Sequence, residues 1–284
     1  MNHQKILITG NNGQLGRALT EHYPTAQSYD SKQLDISSQE DLSKIAWDKL
    51  DVIINAAAYT NVDYAETNEG RQLAWRINAN GTRNLANLAL KHSLTLVHIS
   101  TDYVFDGTIK PHDEEEALSP INVYGQSKAA GDIAVSLVEK HYLLRTSWVI
   151  GNGKNFVQTM LELAQKNIEP KIVSDQIGRL TFTNELVRAI DYLLANRPAY
   201  GTYNVSNSGP EISWSDLTRL IFKLSGHNLK VYDTTTEEYF KDKPNSANRP
   251  LNSVFDLTKI TSTGFIGNDW QTELKNYIKE RISN

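Results

Sequence analysis

Apolar residues fall along the first half of the chain in short unbroken runs, each closed by small or polar residues and followed by a stretch of helical periodicity. The runs are Ile6-Leu7-Ile8-Thr9, Ala26-Gln27-Ser28-Tyr29, Asp51-Val52-Ile53-Ile54-Asn55, Leu94-Thr95-Leu96-Val97-His98-Ile99 and residues 142–150. Consecutive apolar positions, rather than alternating ones, suit strands of a parallel sheet covered on both faces. Helical segments are expected at 17–22, 38–45, 68–92 and from Lys128 onward, so strands and helices alternate. That order predicts an α/β fold built on a doubly wound parallel sheet. Beyond Gly151-Asn152-Gly153 the texture changes. Helices are expected at 156–165 and 184–196 and short strands at 171–174 and 202–205. A capping box, Ser213 to Asp216, opens another helix, and a polar loop at 241–249 precedes a final amphipathic helix after Asp269. Residues 1–150 thus form one unit, and residues 151–284 mainly a smaller C-terminal lobe, with some later segments returning to the sheet.

The loop after the first strand reads Gly10-Asn11-Asn12-Gly13-Gln14-Leu15-Gly16 and runs into a helix. Glycines at a strand-to-helix turn let backbone N–H groups approach a pyrophosphate at the positive end of the helix. The expected architecture is therefore Rossmann-like, with residues 1–150 as a dinucleotide-binding domain and the later lobe as a substrate lobe. The spacing Gly-x-x-Gly-x-x-Gly differs from the commoner Gly-x-Gly-x-x-Gly, and a glycine trio alone also serves plain turns. Asp30, ending the second strand, is placed to bond adenosine ribose hydroxyls, which favours NADH because a carboxylate repels a 2'-phosphate. Arg17 and Lys32 argue for NADPH, and the choice between the two stays open. Asp35 and Ile36 either flank the adenine or, for Asp35, cap the next helix. Ala56-Ala57-Ala58 either admits a flat cofactor or packs against a helix. Asn78, unfavourable inside a helix, suggests a polar task such as holding a water or a backbone group.

The run at 94–99 delivers Ser100-Thr101-Asp102-Tyr103 at its carboxyl end, where open α/β sheets place ligands. Tyr124-Gly125-Gln126-Ser127-Lys128 follows at the start of a helix, the i, i+4 spacing setting Tyr124 and Lys128 on one side. A nearby ammonium is expected to lower the pKa of the phenol, fitting Tyr124 to give a proton to a carbonyl oxygen, with Thr101 as a second hydroxyl. The spacing is short enough to arise by chance, as at Tyr239 and Lys243, which lack a buried strand before them.

Length and composition then narrow the class. The 284 residues carry 39% hydrophobic and 22% charged side chains and a net charge of -4, with no basic footprint for nucleic acid. No run approaches a membrane span, and Met1 to Lys5 lead directly into a strand, so no signal peptide is expected. The absence of cysteine excludes disulfides and thiolate chemistry and makes the cytoplasm the default location. Acidic residues show no spacing that singles out a metal site, and Glu114-Glu115-Glu116 reads as a solvated loop.

An ordered set of motifs gathers these pieces: Gly10-x-x-Gly13-Gln14-Leu15-Gly16, Asn55-Ala56-Ala57-Ala58-Tyr59-Thr60, Ser100 to Gly107, Asn122-Val123-Tyr124-Gly125, Arg145 to Val149, Asp175-Gln176-x-Gly178 and Arg249 to Ser253. Nearly the whole chain resembles the extended short-chain dehydrogenase/reductases, and within them the dTDP-4-dehydrorhamnose reductases. The resemblance implies Thr101, Tyr124 and Lys128 as the catalytic trio. It implies Gly13, Gln14, Leu15, Asp30, Asp35, Ile36, Ala58, Tyr59, Thr60, Tyr124 and Lys128 as cofactor contacts, beside Gly10 and Gly16. Thr101, Asp102 and Trp148 become substrate contacts, the last offering an indole face to a deoxysugar. The implied reaction is NADPH- or NADH-dependent reduction of a dTDP-4-keto sugar. Leu180 and Asn248 depart from the usual pattern, both in the substrate half. Metal-bridged dimers occur in the family, and the sequence leaves a homodimer open.

Sugar dehydratases of the same superfamily carry an Asp-Glu pair after the threonine; Asp102-Tyr103 stands here instead, which disfavours elimination. A 4-epimerase, which retains NAD, and a non-catalytic regulatory subunit that binds nucleotide are the remaining alternatives.

Overall fold

The structure, a computed structural model, describes residues 2–243 and 246–283. Its centre is a six-stranded sheet formed by β1 (Ile6–Thr9), β2 (Gln27–Tyr29), β3 (Val52–Asn55), β4 (Thr95–Thr101), β5 (His141–Thr146) and β6 (Gly201–Asn204). The order is β6-β5-β4-β3-β1-β2, and every pairing is parallel. The chain goes from β1 to β2 on one side and returns to β3 on the other. This reversal opens a crevice at the carboxyl ends of β1 and β3.

Strand periodicity divides the apolar side chains between two layers. Ile6, Ile8, Val52, Ile54, Val97 and Leu144 pack with α1 (Gln14–His22) and with Leu186, Ile190 and Leu193 of a helix at Thr183–Asn196. Leu7, Ile53, Leu96 and Leu143 face the other way, onto Leu85, Ala86 and Ala89. A third core gathers Met160, Leu161, Leu217, Phe222, Trp270 and Leu274 from the C-terminal half. That half also contributes β6 to the main sheet and packs the Thr183–Asn196 helix against it.

Three expectations change. The helix expected at 68–92 is α2 (Asn68–Ala74), a π-helical stretch (Trp75–Gly81) and α3 (Thr82–His92). The strand expected at 142–150 stops at Thr146. Trp148 takes φ 47°, and Val149–Ile150 turns away to pair with Thr181–Phe182. The run Glu114-Glu115-Glu116 is not simply solvated. Glu114 Oε1 accepts the Asn204 N–H at 2.8 Å and Glu116 Oε2 lies 2.7 Å from His112 Nδ1, leaving only Glu115 in water, because this loop folds back over the β5–β6 edge.

Among the described residues no helix is long and apolar enough to cross a membrane, and no group of His, Cys, Asp and Glu is arranged to hold a metal.

Candidate active site

The glycine loop turns tightly because two of its members have no room for a side chain. Gly10 adopts φ +76°, and a Cβ there would lie 2.6 Å from the Ala57 nitrogen; a Cβ on Gly16 would lie 2.0 Å from the Gly10 carbonyl oxygen. Gly13 differs. It is the N-cap of α1 at φ -71°, has no side chain to cap the helix, and meets only Gly10 O at 3.3 Å. Its bare backbone and the first N–H groups of α1 form the floor of a cavity, a cradle suited to pyrophosphate. Gln14 Oε1 accepts the Gly151 N–H at 2.8 Å, tying this helix start to the C-terminal half.

The loop after β3 is held by Asn78 from the π-helical stretch. Its Oδ1 accepts the Tyr59 N–H at 2.8 Å, and its Nδ2 donates to Tyr59 O at 3.1 Å and Ser127 Oγ at 2.9 Å. Asn78 thus performs the polar task its helical position suggested, fixing the backbone of Ala58-Tyr59-Thr60 against the helix that carries Tyr124 and Lys128. Asp30 accepts from Asn12 Nδ2 at 2.6 Å and from the N–H groups of Lys32 and Gln33. Ser38, not Asp35, caps the Gln39–Ser43 helix, while Asp35 accepts from Ser37. Arg17 donates to the carbonyls of Asn12 and Asn152.

Helix α4 (Val123–Ser136) starts beside the end of β4. Asn122 caps it, accepting the Gly125 N–H at 2.7 Å, and Gly125 packs so closely on the Tyr103 carbonyl that a Cβ would lie 2.1 Å away. Tyr124 and Lys128 then face Thr101 across the cavity. Lys128 is buried, and its Nζ donates to Ile99 O at 2.6 Å and lies 3.2 Å from His98 Nε2. Burial brings its pKa down to about 8, against an opposing pull from Asp132. The expected lowering of the Tyr124 phenol does not hold here. Burial pushes it well above its usual value, with a Thr101 hydrogen bond opposing the rise, because Lys128 is engaged with β4 rather than with the phenol. Asp102 is buried and accepts from Thr101 Oγ1 at 3.0 Å and Ser253 Oγ at 2.5 Å. Burial raises its pKa to about 6.

At the far end of the cavity Trp148 stacks on Trp214, ring centroids 3.5 Å apart and planes within 13°. The opposite indole face lies on Gly178, where a Cβ would come within 2.6 Å of Cε2. Trp148 therefore presents an edge, not the open face expected from the sequence. Trp214, Gln176 and Ser253 also line this end and were not singled out as site residues. Their signals were present: Trp214 sits inside the capping box, and the other two lie in motifs already noted.

Each residue implied above as catalytic, cofactor-binding or substrate-binding lines one of two cavities that share lining residues. One, of about 570 Å³, takes Gly10, Asp30, Asp35, Ile36 and Tyr59; the other, of about 460 Å³, takes Gln14, Leu15, Gly16, Thr101, Asp102, Tyr124, Lys128 and Trp148. Gly13, Ala58 and Thr60 belong to both. Tyr239 and Lys243 lie elsewhere, the lysine Nζ 3.3 Å from the tyrosine ring centroid.

An all-parallel sheet, a glycine cradle at its switch point and a Thr, Tyr and Lys set in the adjoining cavity define an oxidoreductase of the short-chain dehydrogenase/reductase type. The chain belongs to the dTDP-4-dehydrorhamnose reductase family, whose sequence model, the RmlD substrate binding domain, matches residues 4–282. It is 37% identical to the spore coat polysaccharide biosynthesis protein SpsK of Bacillus subtilis, over 98% of each chain. It is 38% identical to the dTDP-4-dehydrorhamnose reductase of Aggregatibacter actinomycetemcomitans, over 96% of this chain and 97% of the other. The crystal structure of the Bacillus anthracis dTDP-4-dehydrorhamnose reductase in complex with NADP superposes with a TM-score of 0.86 at 36% identity, covering 97% of each chain.

Proposed function

We propose that this protein reduces the 4-keto group of dTDP-4-dehydro-L-rhamnose to give dTDP-L-rhamnose, using NADPH or NADH. One observation carries the reading: Thr101, Tyr124 and Lys128 line the same cavity as the Gly13-Gln14-Leu15 turn, so a carbonyl seated there lies between a proton donor and the cofactor cradle.

The residues fit a dinucleotide. Gly13 and the start of α1 would receive the pyrophosphate, Asp30, Asp35, Ile36 and Tyr59 would surround the adenosine end, and Ala58, Thr60 and Lys128 would receive the nicotinamide end. Bound there in its reduced form, the cofactor supplies a hydride to C4. Tyr124 gives its proton to the carbonyl oxygen, which becomes the hydroxyl. A phenol pushed upward by burial is protonated at neutral pH, as a donor must be. Thr101 orients the same oxygen, while Asp102 and the Trp148 edge border the sugar.

The test follows loss of reduced-nicotinamide absorbance with dTDP-4-dehydro-L-rhamnose, comparing NADPH with NADH and wild type with Tyr124→Phe. The variant should lose about 10²-fold or more in kcat while binding cofactor as before. No turnover by folded, cofactor-bound wild type overturns the substrate assignment. Conversion of the sugar without net consumption of reduced cofactor indicates an epimerase instead.

A further inference from the structure

Behind Lys128 lies a buried chain of polar groups that the proposed chemistry does not use. Thr9 Oγ1 donates to Asn55 Oδ1 at 2.7 Å, and the Ala57 N–H donates to the same oxygen at 3.1 Å. Asn55 Nδ2 faces His98 Nδ1 at 2.9 Å, and His98 Nε2 faces Lys128 Nζ at 3.2 Å. Thr9, Asn55, His98 and Lys128 are all at most 2% exposed, so the chain is shielded from bulk solvent.

The directions can be worked out from one end. A backbone N–H can only donate, so Ala57 fixes Oδ1 as the acceptor side of the Asn55 amide. Nδ2 then donates, and His98 Nδ1 must be its unprotonated acceptor. With Nδ1 unprotonated, the ring carries its single proton on Nε2, aimed at Lys128, and burial favours this neutral form. An ammonium has three N–H donors and no lone pair, and would meet this N–H donor to donor. A neutral amine accepts from Nε2–H, donates to Ile99 O and keeps a further N–H for the cavity.

We propose that Asn55 and His98 tune the proton affinity of Lys128, with His98 held as the Nε2–H tautomer that offers its proton to the amine lone pair and disfavours the ammonium. His98 is on this account a positioning residue, acting through Lys128. The other charged or titratable groups facing Lys128 are Asp132 and Tyr124, both on its own helix. Asp132 favours the ammonium but is shared with Arg145, 3.3 Å away.

The first test does not depend on the reductase reading. Nitrogen-15 NMR of histidine-labelled protein without ligands distinguishes the two ring nitrogens, and His98→Gln identifies the signal. A bare Nδ1 and a protonated Nε2 are expected; a proton on Nδ1 overturns the proposal. In Asn55→Asp the carboxylate should draw the proton to Nδ1, turning Nε2 into an acceptor for the ammonium. The kinetic arm does rest on that reading, in which Lys128 receives the nicotinamide end, and adds that it does so as the ammonium. In the pH profile of kcat/KM the alkaline limb should move upward in both Asn55→Asp and His98→Gln, by about one pH unit, a tenfold gain in proton affinity. An unmoved limb in His98→Gln, which adds no charge, also overturns the proposal. If neither variant folds, the tautomer in the wild-type spectrum decides.

Discussion

Asp102 shows how one buried group links the site to stability. Its folded pKa of about 6 lies above its ordinary value of 3.8, raised by burial. Between those values the folded protein binds more protons than the unfolded chain, so this group's contribution falls as pH rises through about 4 to 6 and stays at its lower level above. Asp102→Asn removes that dependence and still offers one acceptor and one donor to Thr101 and Ser253. Relative to wild type, the variant should be more stable at pH 7.5 than at pH 4.5 by about 2 kcal/mol, as measured by urea unfolding at both values. Equal differences at the two pH values would show that the carboxyl titrates normally. None of this was legible from Ser100-Thr101-Asp102-Tyr103, since burial depends on Ser253, 151 positions away. Lys128 is the same case: the sequence shows the i, i+4 partner but not that Ile99 and His98 take the amine.

Among the elements, the strands were the most legible, because a buried parallel strand must be apolar at successive positions and needs no information from elsewhere. The glycine turn was equally plain, yet its three glycines serve different ends. Gly16→Ala sets a Cβ 2.0 Å from a backbone oxygen, so α1 must shift, at a cost of about 3 kcal/mol. Gly13→Ala keeps an ordinary φ and should cost less than about 1 kcal/mol, while its methyl group occupies the cradle and weakens NADPH binding roughly tenfold, or about 1.4 kcal/mol. Thermal unfolding and a cofactor fluorescence titration on the two variants separate these roles. A Gly13 variant that binds NADPH normally would remove the pyrophosphate from that position. The broken helix was not legible, because residues 68–92 keep an acceptable helical pattern throughout. Asn78 was the single signal, and its reason lies in Tyr59 and Ser127, far from it in sequence.

At the scale of the molecule, the candidate site depends on both halves of the chain meeting over the crevice, and one ion pair fastens them on the substrate side. Arg249 Nη2 lies 2.8 Å from both carboxylate oxygens of Asp63, while Asp63 Oδ1 also accepts the Ala247 N–H at 3.0 Å. Asn122 Nδ2 donates to Asn248 O at 2.7 Å in the same contact. Asp63 follows the loop held by Asn78, and Asn122 caps the helix of Tyr124, so the 246–250 segment docks on the two pieces that frame the cavity. From there the chain runs through Pro250 to Ser253, both lining it. The pair is partly exposed, and its loss should cost only about 1 kcal/mol of stability. Its effect on the sugar end should be larger, since that segment carries Ser253, which donates to Asp102. Arg249→Ala is therefore expected to raise KM for dTDP-4-dehydro-L-rhamnose by about fivefold to tenfold, or about 1 kcal/mol, with the dissociation constant of NADPH unchanged. Steady-state kinetics and a separate cofactor titration decide it: equal losses in both would mean that the segment supports the whole crevice, and no loss in either would mean that the sugar is held without it.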